Sequence, residues 1–392
     1  MKVIVSLLFL FVCSSLNSAD FDISYKLSPN AKIISSIKDV TPKDFKEGDI
    51  IISLEDGGKI LKIVSLKNGE VNTEPSTIEE AFEILDVKYC GELKPQDIKK
   101  ANYYYEGLKL LSDRNPKDFK IKLDNLVLYD YDGNQTTEDD RISVDGIIDI
   151  LSDVEWNINV NSNSIKELKF VNNIDQKSDF KINISTPVRI PLPFSKEFKL
   201  VDYEFSPVVV GPVVFTPVIS IVAGFSIGVA GKVMVNINHN ISAKYGTHYI
   251  NGEWKGISEV KDKSFKGFLS FIGADGWLKG YIGSRFKLDF YNTVGPYTEC
   301  FGFLKAKADM VSYKPIKINW GLYGGVEANI GVSVKIFSLG MKDFEKNIYE
   351  HEVLINSGSF NFGKEKSIKI SPEIDTSDCE LSDKIRNISL SF

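Results

Sequence analysis

The second half of the chain alternates apolar and polar residues over long stretches. From Ile219 to Lys244 the odd positions are mainly apolar and the even positions are mainly polar. Two further series with the same period run from Leu278 to Phe290 and from Ile316 to Ile336. A period of two places alternate side chains on opposite faces of a β-strand. These stretches therefore predict long antiparallel strands, each with one buried face and one face in water.

The segment Phe205–Gly231, FSPVVVGPVVFTPVISIVAGFSIGVAG, contains no ionisable side chain. A membrane-spanning helix needs about 20 apolar residues, but three prolines interrupt the first half of this segment: Pro207, Pro212 and Pro217. We therefore expect two strands of a water-soluble fold, with the proline-containing half at a sheet edge or at a crossover between sheets. The half from Ile219 onward belongs to a long strand that bends at one of three glycines: Gly224, Gly228 or Gly231.

The N-terminal part of the chain predicts a smaller unit. Turn signals at Asp56-Gly57-Gly58 and Asn68-Gly69 separate short apolar runs, which is typical of hairpins. Overlapping capping boxes at Ser76–Glu80 predict a short helix that continues to Leu85, and a second short helix is expected near Tyr103–Leu111.

Together these patterns predict a mainly β protein. A small N-terminal β-barrel-like domain with a short helix occupies residues 20–100. A large antiparallel β-sandwich or curved sheet of long strands occupies residues 101–392, because long amphipathic strands must cover one apolar face each.

Residues 1–19 are typical of a secretory signal peptide, with Met1-Lys2, a short apolar stretch and small polar residues before Ala19. We therefore expect a secreted or cell-surface protein that is cleaved after Ala19. Its three remaining cysteines allow at most one disulfide within the chain, and the pairing stays open among Cys90, Cys300 and Cys379. Four sequons make glycosylation possible, at Asn134, Asn183, Asn240 and Asn387.

The charge composition disfavours one class of partner. The chain has 47 basic and 53 acidic residues, which are interspersed and give a formal net charge of −6. A protein that binds nucleic acid usually has a clustered basic surface. We therefore expect no nucleic-acid partner.

No catalytic motif is present in the sequence, and the three histidines leave few possible general bases. His239 lies in the apolar register between Ile237 and Ile241, which indicates a core residue. His248 and His351 are expected to be solvated. We therefore expect no enzymatic activity, no catalytic residues and no cofactor.

An acidic turn is the one group of residues with possible metal chemistry. Its oxygen donors are close together in the sequence and are of the kind that Ca²⁺ prefers: Asp130, Asp132, Asn134, Asp139 and Asp140. An EF-hand loop that starts at Asp130 would need glycine at its sixth position, and Gly133 comes two residues too early. We therefore expect a solvated hairpin turn and not a tight calcium site.

Seven stretches follow one another in this order between about residues 47 and 336: EGDIIIS, LKIVSLKNGEVNTEPSTIEEAFE, LYDYDGNQTTEDDRISVDG, NSIKELKF, VVVGPVVFTPVISIVAG, YNTVGPYTECFGFL and WGLYGGVEANIGVSVKI. In the same order they resemble landmarks of a family of uncharacterised secreted bacterial β-rich proteins. The resemblance implies export and a β-rich architecture. It implies no catalytic residues.

The function that these observations favour is that of an exported or cell-surface, non-enzymatic protein that acts by binding, adhesion or assembly with a protein or cell-surface partner. Long sheets without a catalytic motif offer faces and edges to a partner. One alternative is an apolar-ligand-binding or membrane-active protein, either lipid-binding or pore-forming, in which Val208–Ile227 lines a cavity or inserts. A second alternative is an outer-membrane-type barrel, because the chain ends in the alternating residues NISLSF. Membrane contact is possible but is not favoured.

Overall fold

The computed structural model describes most of the chain downstream of the signal-like segment. The described ranges are 19–67, 70–111, 119–130, 132–134, 137, 140–186, 193–228, 231–250, 252–272, 276–313, 316–332 and 344–362. The predicted signal peptide therefore lies outside the described residues, apart from Ala19.

The first large sheet is antiparallel and has eight strands within the described residues. In chain order they are β1 (Asp20–Leu27), β6 (Phe82–Leu93), β8 (Leu108–Leu111), β9 (Phe119–Asp130), β10 (Arg141–Asn161), β11 (Ile165–Thr186), β15 (Gly231–Ile250) and β16 (Glu253–Ile272). The main path runs β1-β6-β10-β11-β15-β16. The long strand β10 pairs with β9 along its first half and with β6 along its second half.

The second large sheet is also antiparallel. Its strands are β7 (Ile98–Tyr103), β12 (Phe194–Phe205), β13 (Val208–Val210), β14 (Val213–Ile227), β17 (Gly276–Phe290), β18 (Thr293–Tyr313), β19 (Ile316–Val332) and β20 (Phe344–Phe362). The main path runs β20-β19-β18-β17-β14-β12-β7. The short strand β13 forms a hairpin with β14.

The remaining four strands form a small sheet in the order β2-β3-β4-β5. They are β2 (Ala31–Ile34), β3 (Ile50–Ser53), β4 (Lys59–Lys67) and β5 (Glu70–Pro75). Three single turns of 3-10 helix lie at Ile37–Asp39, Glu55–Gly57 and Pro95–Asp97. Other strands of the predicted N-terminal domain join the large sheets, because β1 and β6 pair with each other in the first sheet and β7 pairs with β12 in the second.

The helix that the capping boxes predict is present but is shorter than expected. It spans α1 (Ile78–Ala81), and the hydroxyl of Thr77 caps it by accepting a hydrogen bond from the Glu80 amide at 3.3 Å. The helix does not reach Leu85, because the chain from Phe82 onward pairs with β1. Among the described residues, no helix has the length and apolar character required to cross a membrane.

The prediction of a second helix near Tyr103–Leu111 is wrong. The strand β7 ends at Tyr103, and β8 pairs with β9 so that Leu108 lies opposite Leu123. This long-range pairing overrides the weak local preference for helix.

The two large sheets pack face to face and share one apolar core. Trp156 of the first sheet meets Phe215 and Phe290 of the second sheet edge-on, with ring centroids 4.9 and 5.5 Å apart. Phe170 stacks on Phe286 in the same interface at 5.4 Å. Each such side chain contributes about 1.5 to 3 kcal/mol by its burial. The predicted mainly β fold with large antiparallel sheets is therefore confirmed.

The uncharged segment Phe205–Gly231 lies within the second sheet. Pro212 follows the turn residue Gly211, which has a φ of 58°, between β13 and β14. Pro217 lies inside β14, but the pairing with β13 ends at Phe215 and the pairing with β12 begins at Val218. The missing proline N–H therefore coincides with a gap between two neighbouring strands.

The predicted bend in the long alternating series is a crossover between sheets. The strand β14 ends at Ile227 in the second sheet, and β15 begins at Gly231 in the first sheet. Gly228 donates a backbone hydrogen bond to the Trp277 carbonyl at 2.7 Å before the chain leaves the second sheet. The series from Ile219 to Lys244 is therefore two strands that belong to different layers.

Asn163 connects the helix region to the β10–β11 hairpin. Its side-chain Nδ2 donates to the Ser28 hydroxyl at 2.9 Å and to the carbonyl oxygens of Glu79 and Phe82 at 2.9 and 3.2 Å. Asn163 also has a positive φ of 55°, which asparagine tolerates better than most residues. One side chain therefore joins three separate parts of the fold.

We expect replacement of Asn163 by alanine to lower the free energy of unfolding by about 1 to 3 kcal/mol, because partly buried acceptors lose their donor and alanine tolerates a positive φ poorly. Chemical denaturation followed by circular dichroism measures this change. Asn163→Gly separates the two causes, since glycine relieves the backbone and still removes the amide. A loss below about 0.5 kcal/mol for both variants would show that the amide does not join these parts.

Candidate functional site

A groove of about 610 Å³ crosses the outer face of the first sheet near its β1 edge. Its walls come from β1, β6, β10 and β11. The alternation in β10 explains the groove, because Trp156 and Ile158 point into the core while Glu155 and Asn157 are only partly buried on the other face. A volume of this size lies within the range of ordinary ligand sites.

The groove is acidic. Five carboxylates and two lysines line it, and these side chains give a formal charge of −3 at neutral pH: Asp20, Asp22, Asp86, Glu155, Glu167, Lys88 and Lys169. Burial alone would raise the pKa of Glu155, but a hydrogen bond and the charge of Lys169, together with Lys244 at 3.5 Å, hold that pKa below its usual value. Glu167 contacts His248 Nε2 at 2.8 Å. Glu155 and Glu167 are therefore already engaged.

Two acceptors in the groove have no hydrogen-bond partner among the described residues. Asp86 Oδ1 and Asn157 Oδ1 are both buried and unpaired. A buried acceptor without a donor is costly, and native proteins usually satisfy such groups. The groove therefore combines negative charge with two positions that suit hydrogen-bond donors.

The outer face of the second sheet also carries charges, but they satisfy one another. Arg285 donates to Glu299 and, at 3.2 Å, to Glu197. Asn329 donates to the other oxygen of Glu299 at 3.2 Å. Burial raises the pKa of Glu299, and the charge of Arg285 opposes that increase. Because both Glu299 oxygens have partners, this network is a weaker candidate for ligand binding than the groove.

The described cysteines do not provide a reactive thiolate. Cys90 lies in the groove, where burial and then the charges of Glu155, Asp153 and Asp20 raise its pKa. Burial raises the pKa of Cys300 to about 12. No disulfide joins them to another described residue, and Cys379 lies outside the described residues. A thiol with a raised pKa is a poor nucleophile at neutral pH.

Two of the three histidines are more buried than the sequence indicated. His239 is 1% exposed, as predicted for a core residue, and its Nε2 lies 2.9 Å from Gln176 Nε2. The prediction that His248 and His351 are solvated is wrong, because both side chains are half-buried within strands. His248 is covered by its contact with Glu167, and burial lowers the pKa of His351.

The acidic turn between β9 and β10 brings three of its predicted residues together. Asp130, Asp132 and Asp140 can each place one carboxylate oxygen within 4.8 Å of the other two. Asn134 donates its backbone N–H to Asp132 Oδ1 at 2.7 Å. Asp139 lies outside the described residues.

Of the sequons, Asn134 lies in this exposed turn. Asn183 and Asn240 are half-buried within the strands β11 and β15, and are therefore less accessible than Asn134. Asn387 lies outside the described residues.

The chain matches no protein-family description, no curated protein and no solved structure. The resemblance to secreted bacterial proteins therefore stays a prediction. Sequence reasoning did not identify the groove residues. Alternation in DVKYC and VEWNINVN places them on one strand face, but nothing in the sequence shows that β6 and β10 are neighbours.

Proposed function

We propose that this protein is an exported, non-enzymatic binding protein whose acidic groove holds a positively charged, extended polypeptide segment of a partner. The observation that carries the proposal is the net negative charge of the groove, in which a rotation of Asp86 or Asn157 would also offer a ligand an oxygen that has no hydrogen-bond partner among the described residues. Lysine and arginine supply both the positive charge and the donors that such a site requires.

The position of the groove at a sheet edge supports an extended ligand. Within the described residues β1 pairs with β6 on one side, and no strand pairs with its other side. An open edge can accept an added strand through main-chain hydrogen bonds. Phe21 of β1 is 63% exposed and lies opposite Tyr89, so its ring is on the other face of the edge from Asp20 and Asp22, where it offers an apolar contact to the added chain.

The charge of the groove argues against a phosphate-rich partner. The raised pKa of Cys90 and the engagement of Glu155 by two lysines leave the groove without an activated nucleophile among the described residues. Export is inferred from residues 1–19, as argued from the sequence. These points favour binding over catalysis.

The apolar-ligand alternative receives less support from the interior. A space between the sheets, lined by Phe180, Ile182, Phe225 and Ile282 among others, has no room for a water molecule. The segment Val208–Ile227, which could have lined a lipid cavity, packs mainly into the shared core. A lipid chain would have to separate the two sheets.

Fluorescence anisotropy with two labelled octapeptides tests the proposal. One peptide alternates lysine with threonine, and the other alternates glutamate with threonine. We expect the lysine peptide to bind and the glutamate peptide not to bind. Replacement of Asp86 by asparagine is expected to weaken binding about 10- to 100-fold, because a hydrogen bond to a charged group contributes about 1.5 to 3 kcal/mol.

The matched control is Asp309→Asn, which removes an exposed carboxylate from the second sheet, away from the groove. Its affinity should equal that of the parent. Equal binding of both peptides, or equal losses in the two variants, would contradict the proposed site.

A further inference from the structure

The β9–β10 hairpin carries an acidic site that is separate from the groove. Asp140 directly precedes β10, whereas the groove begins at Glu155, fifteen positions further along the same strand. At about 3.3 Å per residue the two places are about 50 Å apart. A function of the hairpin is therefore independent of the proposed peptide groove.

Backbone amides orient the three carboxylates of the hairpin. Asp130 Oδ1 accepts from the Gly133 amide at 2.8 Å, and Asp140 Oδ2 accepts from the Asp132 amide at 3.1 Å. Asp132 Oδ1 accepts from the Asn134 amide at 2.7 Å. Each aspartate thus uses one oxygen within the turn, which leaves the second oxygen of each for another partner.

Two of these second oxygens are buried. Asp140 is only 8% exposed, and its Oδ1 has no hydrogen-bond partner among the described residues. Asp130 Oδ2 is buried and unpaired in the same way. An ionised carboxylate rarely has a buried oxygen with no counter-charge or donor. This burial is a separate observation from the closeness of the carboxylates, and a cation would account for both.

We propose that Asp130, Asp132 and Asp140 bind one divalent cation, with Ca²⁺ as the preferred ion. The cluster offers only carboxylate oxygens, which hard cations prefer, and it contains no nitrogen or sulfur ligand of the kind that favours zinc. Calcium accepts irregular sets of six to eight oxygens, so water and backbone carbonyls can complete its coordination. Magnesium demands near-octahedral geometry at shorter distances, which a hairpin turn provides less readily.

From the sequence, a solvated hairpin turn without a tight calcium site was expected here. The position of Gly133 argued only against a continuous EF-hand loop. The structure instead forms the cluster by bringing Asp140 back across the hairpin to Asp130, since Arg141 pairs with Asp130 at the start of the ladder. The donors are therefore gathered by strand pairing and not by a twelve-residue loop.

Isothermal titration of the full chain with CaCl₂ and, separately, with MgCl₂ tests the site. We expect one Ca²⁺ per chain with a Kd in the range of about 10⁻⁴ to 10⁻³ M, as for other extracellular modules. We expect weaker Mg²⁺ binding. The melting temperature should rise with millimolar Ca²⁺ and return to its starting value after addition of EDTA, because the ion binds the folded state.

Asp140→Asn should weaken Ca²⁺ binding at least tenfold. Asp132→Asn should weaken it as well, and because Asp132 is exposed this variant keeps the test valid if Asp140→Asn does not fold. The control is Asp124→Asn in the same strand β9, where the carboxylate is exposed and pairs with Lys122 at 2.9 Å. Its affinity should be unchanged. A parent protein that binds no Ca²⁺ at 5 mM, or equal losses in Asp132→Asn and Asp124→Asn, would overturn the proposal.

Discussion

Replacement of Ile221 by aspartate is expected to abolish the folded protein. Ile221 is completely buried in the middle of β14, opposite Val201 of β12 and Ser284 of β17. The substitution removes about 1.5 to 3 kcal/mol of burial and places a carboxylate in the core without a partner. Because a typical domain is stable by only about 5 to 15 kcal/mol, we expect loss of soluble expression and of cooperative unfolding.

The matched control is Val209→Asp in the neighbouring strand β13. Val209 is 39% exposed, so its aspartate can remain in water and the protein should fold normally. Yield of soluble protein and thermal unfolding by circular dichroism distinguish the two variants. If the Ile221→Asp protein is instead soluble, monomeric and cooperatively folded but has lost a liposome affinity that the parent shows, then the segment is membrane-active and its role in the core is secondary.

Acidification is expected to destabilise the protein through His239. Burial lowers the pKa of this side chain to about 3, whereas an unfolded histidine titrates near 6.5. At a pH between these two pKa values, the histidine binds a proton in the unfolded state but not in the folded state. The contribution of His239 to stability is therefore complete above about pH 6.5, falls as the pH decreases, and is lost by about pH 3. The total loss is of the order of 5 kcal/mol.

The surroundings of His239 explain why the folded state resists protonation. The ring packs between Phe180 and Phe265, with centroids 6.1 and 6.3 Å away. A Cβ atom at Gly302 of the opposite sheet would lie only 2.4 Å from the imidazole, so glycine allows the ring to sit against the β18 backbone. The His239 Nδ1 atom has no partner among the described residues. A charged imidazole would gain almost no compensation there.

Urea unfolding at pH 7 and pH 4 measures this effect. We expect His239→Gln, which keeps a hydrogen-bonding group beside Gln176, to lose about 3 kcal/mol less stability than the parent between these pH values. The control His248→Gln changes a half-buried histidine that already contacts Glu167. Identical pH dependence in the parent and in His239→Gln would show that other groups cause the acid sensitivity.

The strands could be predicted from sequence because local alternation reports which residues face the core. The inward positions of β17 follow from this rule, and so does the burial of His239. The strand β14 departs from the rule, because Ser220 and Val222 are buried as well as Ile219 and Ile221. The lengths of continuous strands were less predictable. The series across Ile227 and Gly231 keeps one period through a change of sheet, because residues on either side of the crossover must both alternate.

The candidate sites depended on strand pairing, which a single sequence does not reveal. Asp86 and Asn157 lie in one groove because β6 pairs with the second half of β10. Asp140 reaches Asp130 because the hairpin aligns its two ends. The first contact joins residues that are far apart in sequence, so periodicity could not predict it. The acidic turn was recognised in the sequence, but its spacing did not show which of its carboxylates meet.

The crossover between Ile227 and Gly231 has a consequence for synthesis of the chain. The strand β11 needs β15 to cover its edge from Glu167 to Thr186. The strand β14 needs β17, which comes later in the chain than β15 and β16. The first large sheet cannot complete its ladders until β16 has emerged at Ile272, and the second cannot complete them until β20 has emerged at Phe362. Long-range pairing of this kind is slow and leaves unpaired edges exposed during folding. A chain that terminates before β15 and β17 are made would therefore expose the long edges of β11 and β14, and these edges can pair with other chains.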